Sequence, residues 1–137
     1  LIKRSGYEII ENNITCKKNT EFFGALSKRD RKLIICTQNI KRSTGFLMPV
    51  IIEDYHDDTS INVQQTLRHE AVHLAQECNN NNLLGIKGIS EMPLNRYRQR
   101  ALKESTRVSG RKWKEHEAYW MENKPKIVVS SLRKFCL

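Results

Sequence analysis

Leu67-Arg68-His69-Glu70-Ala71-Val72-His73-Leu74-Ala75-Gln76 decides how this chain is read. Its centre is H-E-x-x-H. Residues four apart share a helix face, so His69 and His73 on a helix point the same way, one turn apart, and can bind a single zinc ion. Glu70 follows the first histidine and leans toward the same metal, where a carboxylate can take a proton from a water and return it to a leaving amine. Val63, Leu67, Val72, Leu74 and Ala75 supply apolar or small positions for a buried helix. Asn62, Gln64, Gln65, Thr66 and Arg68 are polar. The helix is expected from Asn62 to Glu77 or Cys78, with Thr59 or Ser60 as its cap and Asn79-Asn80-Asn81-Asn82 as its stop. So short a motif recurs by chance, and paired histidines are commonly ordinary helix residues, so the metal reading requires a third ligand.

The stretch Lys114-Glu115-His116-Glu117-Ala118-Tyr119-Trp120 offers one. H-E-A-V-H followed by E-H-E-A resembles the gluzincin branch of zinc metallopeptidases, in which a glutamate on a second helix, often the first of E-x-x-A, completes the ligand set. The resemblance makes Glu115 the matching position. Glu117 is the alternative. It stands about 200° around a helix from Glu115, so only one of them can face the metal. Ala118 shares the face of Glu115 and, being small, allows close approach, which favours Glu115. His116 would place the site in a different zincin branch. H-E-x-x-H-x-x-Q with a later E-x-E-A-Y is also similar to small zincin-like proteins of bacteria, cyanobacteria included, and of phages. The resemblance spans about Gln64 to Met121.

It implies a zinc metalloendopeptidase acting on a peptide or protein substrate. His69, His73 and Glu115 would hold Zn2+, a water would fill the fourth position, and Glu70 would be the general base. Tyr119, Tyr97, His116 and His56 are the candidate donors to a developing oxyanion. One departure stands out. Larger gluzincins often carry an acidic residue four after the ligand glutamate, as partner of a zinc-bound histidine, and here that position is Tyr119. The rival reading is a non-catalytic zincin-like structural or interaction protein of a larger assembly or virion.

At 137 residues the chain suits a single domain, residues 1–137. Its 39% hydrophobic and 28% charged residues argue against wholesale disorder. No apolar run approaches a membrane span. The first residue, Leu1, reads as a processed or trimmed N-terminus. Cys16, Cys36, Cys78 and Cys136 lack the close spacing of a structural zinc site and fit two disulfides. Cys78 ends the expected metal-binding helix and Cys136 ends a last helix folding back on the core, so these two are expected to pair, with Cys16–Cys36 joining two strands. Disulfides imply an oxidising setting: extracytoplasmic, secreted or virion-associated, with the cytoplasm as the alternative if all four thiols are reduced. Net charge is +9, concentrated in Arg96, Arg98, Arg100, Lys103, Arg107, Arg111, Lys112 and Lys114, with Glu104 the one acid among them. Such a run can bind phosphates or an acidic surface, but is more commonly a solvated helix face. Only 7% of residues are aromatic, so nucleic acid is weakly supported as a partner.

The expected fold is a small α+β, minimal zincin-like domain: a short antiparallel or mixed N-terminal sheet followed by three or four helices. Tyr7-Glu8-Ile9-Ile10, Asn13-Ile14-Thr15-Cys16, Lys32-Leu33-Ile34-Ile35-Cys36 and Phe46 to Ile52 read as strands, the last an edge because of Pro49. Gly45-Phe46-Leu47 is the candidate edge for an extended substrate. Lys17 to Arg31, polar and basic but broken by Phe22-Phe23-Gly24-Ala25-Leu26, reads as a loop with a short helix, and Asn39 to Gly45 as a basic connection. Glu53-Asp54-Tyr55-His56-Asp57-Asp58 is an acidic turn without regular calcium-ligand spacing. Helices are expected over Pro93–Val108, Arg111–Asn123 and from Ile127 to the C-terminus.

Overall fold

The structure is a computed structural model that describes residues 1–44 and 59–137. The expected strand from Phe46 to Ile52, the Gly45-Phe46-Leu47 edge, the acidic turn and His56 lie outside the described residues.

The fold is α+β, as expected. Strand β1 (Glu8–Glu11) leads into helix α1 (Ile14–Lys18). Strands β2 (Gly24–Ser27) and β3 (Lys32–Ile35) form a hairpin, and helix α2 (Thr37–Thr44) follows. The sheet is mixed, in the order β1-β3-β2. β1 runs parallel to β3, with Ile9 opposite Leu33. β2 runs antiparallel to it, with Gly24 opposite Ile35 and Leu26 opposite Leu33. Central β3 is buried from Leu33 to Ile35, as an apolar run in a middle strand should be. Among the described residues, β2 is an edge of the sheet.

Helix α3 (Thr59–Cys78) is the spine of the molecule. It packs against β2, β3 and α2, and against α5 (Lys112–Met121) and α6 (Pro125–Cys136), while α4 (Arg96–Ser109) packs on α5. Its Ala71, Val72, Leu74 and Ala75 join Met92, Ala118, Met121, Val128 and Leu132 in the main core. Ala118 is fully buried, which fits the expected close approach of the two helices. Asn95 caps α4 by accepting the Arg98 N–H at 2.8 Å, and Gly110 closes it at φ 69°, the left-handed position glycine favours. No described helix is long and apolar enough to cross a membrane.

Three expectations are corrected. Asn13 to Cys16 begins a helix, not a strand. The Asn13 side chain accepts the Thr15 N–H at 3.0 Å and Asn12 turns the chain at φ 51°, so capping outweighs the β-propensity of Ile14 and Thr15. The stretch expected to hold a short helix supplies β2 instead, because β3 offers it a backbone ladder. The expected basic connection from Asn39 is helical as far as it is described, Asn39 to Thr44 making up most of α2. Its anchors are Ile40, fully buried, and the Asn39 amide, which donates to the carbonyls of Cys16, Asn19 and Phe22.

Both expected disulfides form. Cys16–Cys36 has a Cα separation of 5.4 Å and Cys78–Cys136 one of 5.2 Å. The first ties α1 to the residue after β3 rather than joining two strands. The second ties the C-terminal ends of α3 and α6.

Candidate metal centre

One face of α3 and one face of α5 meet at a polar cluster inside this core. His69 and His73 come from consecutive turns of α3, and Glu115 from the first turn of α5. Glu115 Oε2 lies 3.1 Å from His69 Nε2 and 3.3 Å from His73 Nε2, and the two Nε2 atoms are 3.2 Å apart. The three residues form a group that could hold a metal ion. Glu117 points elsewhere. It is fully buried and accepts hydrogen bonds from the Leu84 N–H and the Gln76 side chain, both at 2.9 Å. His116 sits with its Nε2 2.7 Å from the Met92 carbonyl, away from the cluster.

The other nitrogen of each ring is held. His69 Nδ1 lies 3.0 Å from Glu122 Oε2, and His73 Nδ1 lies 2.9 Å from Gln76 Oε1. A ring that donates from Nδ1 carries its lone pair on Nε2, facing Glu115. Glu122 is fixed in turn by Arg98 Nε at 2.9 Å on its other oxygen, and Gln76 by donating to the Lys114 carbonyl and to Glu117. The carboxylate missing at Tyr119 is thus supplied by Glu122, seven residues after Glu115. Two full turns return a residue to the same face, so this spacing was present in the sequence at a distance of two turns instead of one. Gln76, three after His73, was likewise part of the motif stretch. Arg98 had no local signal, since α4 meets α5 only in the fold. Replacing Glu122 with Ala is expected to weaken metal binding about 10- to 100-fold while leaving the ligands in place. Competition titration against a chelating dye would measure it, and an unchanged affinity would remove Glu122 from this role.

Glu70 is buried beside His69 and His73. Burial raises its carboxyl above the usual range, against the lowering effect of His73 and His69. Gly24 on β2 explains how the strand comes so near. A Cβ there would lie 2.8 Å from Glu70 Cγ and 2.9 Å from Thr66 Cγ2. Only glycine allows this approach without displacing Glu70, and nothing local in the sequence marked it. The Tyr119 ring packs edge-on to His69 at 4.4 Å between centroids, and its hydroxyl is 2.5 Å from Ser105 Oγ. Burial keeps that hydroxyl protonated far above the usual range. Above the cluster lies a cleft of about 580 Å³. Phe22, in the approach to β2, and Gly24, on β2, line it from one side, and Tyr97, Ala101 and Val108 from α4.

Burial disfavours a charge on His69, but the carboxylates of Glu115 and Glu122 outweigh it and push His69 up to about 10. Burial also opposes the charge on Glu115, yet His69 and His73 hold it well below the usual carboxylate range. The signs follow from linkage. The raised His69 adds stability that is complete below its ordinary 6.5 and is lost as pH climbs to about 10. The depressed Glu115 adds stability that is present above its ordinary 4.5 and is lost in acid. Metal-free protein is therefore expected to have its unfolding midpoint fall between pH 6.5 and about 10, and by less in His69→Gln. Melts in chelator would show this, and equal slopes for the two proteins would contradict it. A metal must displace the same proton, so its affinity should rise over that window.

A family model described as a domain of unknown function (DUF8637) matches residues 1–137. The chain belongs to this family. No curated protein and no solved structure matches the chain significantly.

Proposed function

We propose that this protein is a zinc-dependent endopeptidase. The observation that carries the reading is the triangle of His69 Nε2, His73 Nε2 and Glu115 Oε2, with edges of 3.1, 3.2 and 3.3 Å. Tetrahedral zinc with bonds of about 2.0–2.1 Å spaces its ligand atoms about 3.3 Å apart, and two histidines with one glutamate are a known catalytic set. The donors therefore fit zinc in chemistry and spacing, and the hydrogen bonds to Glu122 and Gln76 aim the ring nitrogens at one point.

When bound, zinc supplies Lewis acidity, making a water acidic near neutral pH and polarising a peptide carbonyl. Glu70 takes the proton of the attacking water and delivers it to the leaving nitrogen. Its buried, raised carboxyl suits both halves of that transfer. Among the described candidates Tyr119 is the best placed oxyanion donor, because it lines the cleft with its ring against His69 and its hydroxyl is held by Ser105. Among the described residues β2 is an edge strand, and Gly24 brings it close against Glu70, so an extended peptide pairing with its backbone would lay a bond across the centre. The two disulfides favour action outside the reducing cytosol, as a secreted or virion-borne protein.

The rival non-catalytic reading drew part of its case from the missing carboxylate partner, and Glu122 removes that part. Metal analysis and a peptide library test the proposal together. About one zinc per chain is expected after stripping and reloading, with cleavage that chelation stops. Less than about 0.2 zinc per chain would refute the metal centre, while full loading without any cleavage would favour the rival. Gly24→Ala should keep the metal and lower cleavage about 100-fold by pushing Glu70 aside, as an ångström of misplacement can do. Unchanged rates would show that β2 does not position Glu70.

A further inference from the structure

The cleft is not uniform in charge. Beyond His73, where α3 gives way to the asparagine run, it is lined by Lys28, Asn81, Arg111 and Lys114. Lys28 follows β2 and donates to Asn81 Oδ1 at 3.1 Å, and Lys114, on α5, donates to the same oxygen. Asn80 and Asn81 both adopt left-handed backbone, which turns the chain sharply at the point where Asn81 stands between the two lysines. Arg111 adds a third cation from the turn before α5. The local acid is Glu77, 2.5 Å from Lys28 Nζ. Arg107 is engaged by Glu104 at 2.7 Å. Among the described residues, two ammonium groups held on one neutral oxygen, with an arginine beside them and the Glu77 carboxylate on Lys28, leave net positive charge at this end of the cleft.

We propose that this end of the cleft is a subsite for an acidic side chain of the bound peptide. Its position follows from β2. Gly24 faces Glu70, and Lys28 stands four residues further on, about 13 Å along an extended chain. A peptide paired with β2 therefore presents its acidic residue about four residues from the bond over the metal centre. Its carboxylate takes the place of Asn81 as acceptor for the lysines. The location rests on the peptidase reading; the anion preference does not, because it can be read by binding alone.

Zinc-loaded Glu70→Gln protein would be immobilised and offered a random decapeptide mixture, with the captured peptides sequenced by mass spectrometry. Asp and Glu are expected to be enriched about fivefold over Asn and Gln at one position, an effect suited to a partly exposed charge pair. Lys28→Glu with Arg111→Glu, which leaves the metal-ligand helix turn intact, should abolish or invert that preference. Capture without acidic enrichment, enrichment that survives the charge reversal, or no capture would overturn the proposal. A single-stranded oligonucleotide that displaces the peptides and loses its own binding in the same variant would overturn it in favour of a nucleic-acid surface. Cleavage by the wild type separates the two claims. Cleavage without acidic preference removes the subsite and keeps the peptidase, whereas acidic enrichment without cleavage keeps the subsite and removes the peptidase.

Discussion

Under the proposed peptidase chemistry, Glu70→Gln is expected to bind zinc as the wild type does and to lose cleavage by about 10²- to 10⁴-fold, the span attributed to a positioned general base. The amide has nearly the shape of the carboxyl, so the packing against Gly24 and Thr66 survives. Glu70 lies outside the His69, His73 and Glu115 group, so metal binding should change little. The stability effect runs the other way. A buried carboxyl with a raised pKa costs stability above its ordinary value, because the unfolded chain ionises it more readily. Metal-free Glu70→Gln should therefore melt at or above the wild-type temperature at neutral pH. Zinc content, a cleavage assay and thermal melts on the same preparations separate the outcomes. Cleavage at wild-type rate with zinc bound would refute Glu70 as the base. Loss of zinc together with cleavage would make the residue structural.

Replacing Cys78 and Cys136 together with Ala should produce the largest loss of stability. The bond closes a loop with a sequence separation of 58 residues. In the chain-entropy model a loop of that size contributes about 4 kcal/mol. For a chain of this length that corresponds to a fall of about 12–15 °C in melting temperature. The Cys16–Cys36 bond closes a shorter loop and is worth about 3 kcal/mol by the same reasoning. The two losses should also differ in kind. Cys78–Cys136 clamps α6 onto the end of α3, with His73 little more than one turn away, so its removal should weaken zinc binding as well. Cys16–Cys36 lies on the far side of the sheet hairpin and should cost stability with metal affinity preserved. Melts and zinc titrations of the two double variants test this, and equal effects on affinity would refute the distinction.

The local part of this protein was legible because its signals are local. A helix repeats every 3.6 residues, so His69 and His73 fall on one face in any fold that keeps α3 helical. The same period put Ala118 beneath Glu115. β3 was clear because its three apolar residues, Leu33 to Ile35, sit in the middle of a sheet. β2 was not, because Gly24 to Ser27 becomes a strand only by pairing with β3, and α2 was hidden because it rests on one apolar anchor and one asparagine reaching three distant carbonyls.

The sequence by itself pointed to the α+β class, to a helix carrying His69 and His73 on one face, to Glu115 rather than Glu117 as the residue facing them, and to the pairing of the cysteines. Each follows from spacing along one element or from where an element ends. Only the tertiary structure decided that Glu115 reaches both histidines, that Glu122 rather than residue 119 steadies His69, that Arg98 crosses from α4 to hold Glu122, and that Gly24 brings a strand edge against Glu70. Those facts depend on how α3, α4, α5 and β2 pack together, and packing distances between elements far apart in sequence are set by the whole core rather than by any stretch within it.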